Sequence, residues 1–125
     1  MSQTIIPIFR IFDYPKAVEF YVNWLGFTIA WEHRFGENSP VYLEITKGDL
    51  KLHLSEHHSD ATPGSKVLID YPELESFHKE LIAKNYHYMK PGFNEAFWGA
   101  WVVNVIDPFG NRLEFFQRIE KPVTP

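Results

Sequence analysis

Apolar residues in this chain recur with two different spacings, and the switches between them mark out the elements. Residues 5–11 are apolar and β-branched, broken by Pro7 and Arg10. They predict a strand whose proline suits an edge or a strand start. Asp13 is a candidate N-cap, with Pro15 in the first turn, where its missing N–H does no harm. Ala17, Val18, Tyr21, Val22 and Leu25 then fall at helical spacing, and Gly26 suits the residue after a helix end, so the spacing predicts a first helix. Residues 27–35 are rich in β-formers but alternate poorly. Residues 41–45 and 50–54 are clearer strands, joined by a tight hairpin turn at Lys47-Gly48-Asp49. Residues 55–65 are polar, carry Pro63-Gly64 and read as a linker.

The second half repeats the order. Residues 66–69 predict a strand. Leu74, Phe77, His78, Leu81 and Ile82 form the stripe of a second helix, which Asn85 can end in the left-handed conformation. Residues 86–89 predict a short strand, 91–96 a loop, 100–106 a strand, Pro108-Phe109-Gly110-Asn111 a turn, and 112–117 the last strand. The tail 121–125 reads as loose. The two halves also share a motif: Asp13-Tyr14-Pro15 recurs as Asp70-Tyr71-Pro72, an offset of 57 that also matches Phe20 with Phe77. The expected order is βαβββ–βαβββ in an α+β domain, with modules at 1–58 and 65–120, a linker at 59–64 and the tail at 121–125. A seam between two copies of one unit is a natural place for a ligand.

Composition narrows the function classes. At 125 residues the chain suits one compact domain or two half-size modules sharing a core. Aromatics reach a high 17%; some of these rings belong in the core, but so many also suit a flat-ligand cleft or an oligomer interface. A formal charge of −4 argues against nucleic acid, whose phosphates need a cationic face. It is compatible with a cationic ligand, though mild acidity is also ordinary. The absence of cysteine excludes disulfides, thiolate metal sites and cysteine nucleophiles, and fits a reducing cytoplasm. Met1-Ser2-Gln3-Thr4 leads straight into a strand-like run, so no signal peptide is expected, and no apolar stretch approaches the roughly 20 residues of a membrane helix. The serines show no nucleophile elbow, and no glycine-rich phosphate loop exists.

Candidate chemistry lies in rings and histidines. Trp31, His33 and Phe35 sit two apart on one strand and so share a face. His53 alternates with Leu52 and Leu54; if those pack under a helix, His53 faces the other way as a hydrogen-bonding wall residue. His57 and His58 fall in the polar linker and are expected to be solvated. Trp98 stands before Gly99 at the start of a strand. Trp101 is expected in the core, and Trp24 at an interhelical or dimer contact. Arg10 shares parity with Ile6 and Ile8, so it either enters a cavity or bridges to Glu114 or Glu44. His53 and Glu114 form an acid–base pair only if the fold brings them together.

These residues resemble a known family. Asp13-Tyr14-Pro15-Lys16-Ala17-Val18-Glu19-Phe20-Tyr21, Leu25-Gly26-Phe27, Trp98-Gly99 and Asp107-Pro108-Phe109-Gly110-Asn111-Arg112-Leu113-Glu114-Phe115 look like the vicinal oxygen chelate superfamily, which includes glyoxalase I and the bleomycin resistance proteins. Leu52-His53-Leu54-Ser55-Glu56-His57-His58 looks typical of the bleomycin-resistance type. The resemblance covers nearly the whole chain. It implies curved sheets around a cleft, and pairing of two chains into a homodimer, sometimes with an exchanged N-terminal strand. The superfamily's enzymes hold a divalent metal at four strand positions, which here carry Ile6, His53, Lys66 and Glu114. Ile6 offers no donor atom and Lys66 is a cation, so only His53 and Glu114 could ligate and no cofactor is expected. In the drug-binding members, aromatics matching Trp31, Phe35 and Trp98 line the cleft and carboxylates receive the drug's cationic tail; in glyoxalases the residue matching Arg10 pairs with a substrate carboxylate. The expectation is therefore a cytoplasmic, non-enzymatic, dimeric binder of bleomycin-type antibiotics, with Arg10, Trp31, His33, Phe35, His53, Trp98 and Glu114 at the ligand and no membrane or nucleic acid as partner. The alternatives are a metal-dependent lyase, isomerase or dioxygenase, and a binder of another small aromatic compound.

Overall fold

The structure, a computed structural model, describes residues 3–120. The tail 121–125, expected to be loose, lies outside the described residues. The chain forms two units. One comprises Met1–Ser65 with Ile106–Asn111, the other Lys66–Val105 with Arg112–Pro125. The expected βαβββ–βαβββ order is present, and the fold is α+β with two four-stranded mixed sheets.

In the first unit β1 (Ile8–Arg10) is followed by α1 (Tyr14–Ala17), which runs on as a π-helical segment, Val18–Trp24, and then by β2 (Thr28–Arg34), β3 (Val41–Lys47) and β4 (Leu50–Ser55). Strand order is β1-β4-β3-β2, with β1 parallel to β4 and the other pairs antiparallel. Strand β1 is shorter than predicted because Pro7 has no N–H to give the ladder; its carbonyl accepts from the His53 N–H at 2.9 Å instead. Asp13 caps the helix as predicted, its carboxylate accepting from the Lys16 N–H at 3.0 Å. The helix then widens, with the Leu25 N–H reaching back five residues to the Phe20 carbonyl. It buries Ala17, Phe20, Tyr21, Trp24 and Leu25, whereas Val18 and Val22 are half-buried. Trp24 is thus buried in the core and packed on Phe20, because the buried stripe lies one step round from the predicted one.

In the second unit β5 (Lys66–Asp70), α2 (Leu74–Ala83), β6 (Asn94–Ala96), β7 (Ala100–Ile106) and β8 (Arg112–Arg118) give the order β5-β8-β7-β6. Helix α2 buries Leu74, Phe77 and Leu81, and Phe77 packs on Phe115. Asn85 ends the helix at φ 51°, as expected. The predicted strand at 86–89 is instead a turn, and the sixth strand lies in the predicted loop, at Asn94–Ala96. Lys90 explains the turn: its ammonium donates to the Asn85 side chain at 2.9 Å and to the Tyr86 carbonyl at 2.8 Å, folding the segment back. Trp101 is not core. It is 36% exposed and stacks on Phe93, because the alternation slips where Val102 and Val103 are both buried.

Candidate ligand site

The first unit's sheet lays out its polar and aromatic residues in cross-strand rows. Trp31 lies opposite Glu44, Glu44 opposite His53, and His53 opposite Ile8. Two residues along, His33 lies opposite Tyr42, Tyr42 opposite Ser55, and Ser55 opposite Arg10. Side chains alternate across a strand, so both rows project from one face. The row between them, with Leu43, Leu54 and Phe9, projects from the other face and is buried.

A register shift between Ile29 and Trp31 decides which face the rings take. Ile29 pairs with the buried Ile45, and unbroken pairing would set Trp31 opposite Leu43 on the core side. One extra residue in the strand turns Trp31 outward, as a bulge does. Trp31 is 44% exposed and its ring stacks on Tyr42 at 5.9 Å and 10°.

Around Trp31 the expected residues come together with others that were not expected. Trp31, His33, Phe35, Tyr42, His57 and Asp60 line an open pocket of about 420 Å³, within the range of small-molecule sites. Phe35 meets His33 edge-on at 4.5 Å and His57 edge-on at 6.0 Å. His57 is not a solvated linker residue. Its N–H donates to the Ser55 hydroxyl at 3.0 Å, which turns the ring inward and leaves Nε2 buried without a hydrogen-bond partner. The Ser55 hydroxyl donates in turn to Asp60 at 2.6 Å, which fixes the acidic side of the pocket.

His53 sits behind this wall, edge-on to Trp31 at 5.3 Å. Its Nε2 lies 3.0 Å from a Glu44 carboxylate oxygen and its Nδ1 2.6 Å from the Tyr42 hydroxyl. Burial, then the carboxylates of Asp60 and Glu44, push the Tyr42 phenol upward, so it stays a neutral hydroxyl at physiological pH. The alternation of Val41, Tyr42, Leu43, Glu44 and Ile45 would have singled out Tyr42 and Glu44. The hairpin register, Lys47 opposite Leu50, then places Glu44 across from His53.

The remaining candidates lie elsewhere. Arg10 lines a second pocket of the first unit, about 640 Å³, with Phe12, Arg34 and Glu56 among its walls. Within that unit its guanidinium stacks on the Phe12 ring at 4.5 Å, while Glu44 holds His53. In the second unit Glu114 pairs with Lys66 at 3.2 Å. In the second unit Trp98 is half-buried in the turn before β7, edge-on to Phe116 at 5.2 Å, with the Arg118 guanidinium over its ring at 5.5 Å. It lines a pocket of about 430 Å³ with Glu95, Phe97 and Ile119.

A metal does not suit these residues. Among the described residues no group of three or more His, Cys, Asp or Glu side chains could hold a metal ion. Of the four positions that carry ligands in related enzymes, Ile6 has no donor atom and the Lys66 ammonium repels a cation. Both ring nitrogens of His53 are already engaged, and Glu114 is paired with Lys66.

Three comparisons bear on this arrangement. A family model described as "Glyoxalase superfamily protein" matches residues 1–121. A bleomycin-binding protein solved in complex with bleomycin superposes with a TM-score of 0.71 at 19% identity, covering 94% of this chain and 99% of its own. A bleomycin resistance determinant encoded on transposon Tn5 gives a TM-score of 0.71 at 18% identity, covering 94% and 98%. A glyoxalase/bleomycin resistance protein from Streptomyces sp. CB03234 gives 0.68 at 20% identity, covering 90% and 97%. At these identities the likeness is one of fold. No curated protein matches.

Proposed function

Since the chain belongs to the glyoxalase superfamily, we propose that it is a non-catalytic, homodimeric, cytoplasmic binding protein that sequesters flat, cationic aromatic compounds of the bleomycin type. The observation that carries this reading is the aromatic pocket of Trp31, His33, Phe35 and Tyr42 with Asp60 at its side. Rings supply apolar area and offset stacking, and the carboxylate supplies a countercharge for a cationic substituent. Protection then comes from stoichiometric binding, so no activated nucleophile is needed. The donor set supports the same reading, since neither Ile6 nor Lys66 can complete a metal centre around His53 and Glu114. Trp98 is assigned a second stacking surface in its own unit, Arg10 any anionic group of the ligand, and Glu114 a cationic one.

The test is a titration of metal-free and copper-loaded bleomycin into purified protein, followed by calorimetry and tryptophan fluorescence. Saturable micromolar or tighter binding, weakened at least about tenfold by Trp31→Ala, is expected; base and drug-ring stacking on aromatic side chains is of that size. No heat and no quenching removes the drug assignment. Elemental analysis of the same preparation is expected to give less than about a tenth of an equivalent of Ni, Zn, Mn or Fe; a full equivalent would favour a metal-dependent enzyme.

A further inference from the structure

The polar wall of the Trp31 pocket is a directed chain of hydrogen bonds. An ionised Glu44 carboxylate can only accept, so the His53 Nε2 at 3.0 Å carries a hydrogen and donates it. A neutral imidazole then has only a lone pair at Nδ1, which accepts from the Tyr42 hydroxyl at 2.6 Å. The single proton of Tyr42 is thereby spent inside the wall. What the hydroxyl turns toward the pocket is its lone pairs. The other polar group on the lining with a fixed role, Asp60, is also an acceptor, its own position set by the Ser55 hydroxyl at 2.6 Å.

We propose that the Glu44–His53–Tyr42 chain makes this pocket selective for aromatic ligands that donate a hydrogen bond. The inference rests on the ligand-binding reading above and deepens it by naming what the ligand must present: an N–H or ammonium on a flat ring system, not a carbonyl or ether oxygen. His53 is a positioning residue here. It touches the ligand only through Tyr42, whose proton it holds. A donor ligand meets a preoriented acceptor, whereas an acceptor ligand meets lone pairs, and desolvating them without a partner is unfavourable.

Indole and benzofuran provide the probe pair. They are isosteric and uncharged across the working pH range, and differ in an N–H donor against a ring oxygen. Binding is followed by NMR titration, reading the indole N–H resonances of the tryptophans. At pH 8 indole is expected to bind about fivefold more tightly than benzofuran, the ratio a typical net hydrogen bond gives. Tyr42→Phe removes the preference while keeping the ring. His53→Gln, whose amide can still donate to Glu44 and accept from Tyr42, keeps the preference, whereas His53→Ala, which can do neither, loses it. Equal binding of the two probes at pH 8, or a preference that survives Tyr42→Phe, overturns the donor selectivity and leaves the pocket assignment standing. If neither probe shifts the Trp31 resonance, the pocket assignment fails and the selectivity falls with it.

Discussion

Replacing Tyr21 by Phe should destabilise the protein more at neutral pH than in acid. Tyr21 is fully buried, and its hydroxyl donates to an Asp107 carboxylate oxygen at 2.6 Å. That carboxylate also receives the Asn111 side-chain amide at 2.9 Å and the backbone N–H groups of Phe109 at 2.9 Å and Asn111 at 2.8 Å. Deleting the hydroxyl removes one charge-assisted bond and leaves the other three. A hydrogen bond to a charged group contributes roughly 1.5–3 kcal/mol, so a loss of about 2 kcal/mol is expected at pH 7. For a chain of this length that lowers Tm by about 8 °C. Burial holds the Asp107 carboxyl above its ordinary value of 3.8, and the bonds from Tyr21 and Asn111 oppose that rise. A carboxyl whose folded value is raised holds its proton more tightly in the folded chain than in the unfolded one. Its contribution to stability is therefore greatest below about the ordinary value and declines as pH rises through the folded value. Without the Tyr21 hydroxyl the folded value rises further, and the decline reaches to higher pH. Thermal unfolding of wild type and Tyr21→Phe at pH 4 and pH 7 is the assay. An equal drop in Tm at both pH values would refute the claim that Tyr21 acts chiefly on the ionised carboxylate, and a drop under about 2 °C at pH 7 would refute the magnitude.

Two further perturbations test local features of the fold. Gly110 has φ 91° and a Cβ placed there would meet no atom within 4 Å, so Gly110→Ala should cost only the left-handed backbone term. That term is about 1–2 kcal/mol, read as a shifted urea midpoint with an unchanged slope. Asp13→Ala removes the cap on Lys16 N–H and should cost about 1 kcal/mol, while Asp13→Ser restores most of it; identical midpoints for the two variants would show that the cap does not contribute.

What could be read from the chain alone was what depends on neighbours in sequence. Element order, the Asp13 cap, the left-handed Asn85 and the hairpin after Lys47 follow from spacing and backbone preference within a few residues. Family membership was legible for a similar reason, since its motifs are contiguous. The face shared by Trp31, His33 and Phe35 was also legible from two-residue alternation, and these three do line one pocket.

Which face that was, and what surrounds it, only the tertiary structure decided. A bulge at Ala30 turns the rings out of the core, and one residue of slip in a strand exchanges its two faces. The same sensitivity explains Trp101, expected inside and found outside, and the sixth strand, whose place was set by the Lys90 ammonium folding residues 86–90 into a turn. Glu44 and Tyr42 close on His53 only through cross-strand register, and His57 enters the pocket only because Ser55 holds its backbone. Spacing along a chain fixes which side chains share an element's face, but hydrogen-bond partners nine or eleven residues apart, such as Glu44 and Tyr42 on His53, meet only when the strands pair.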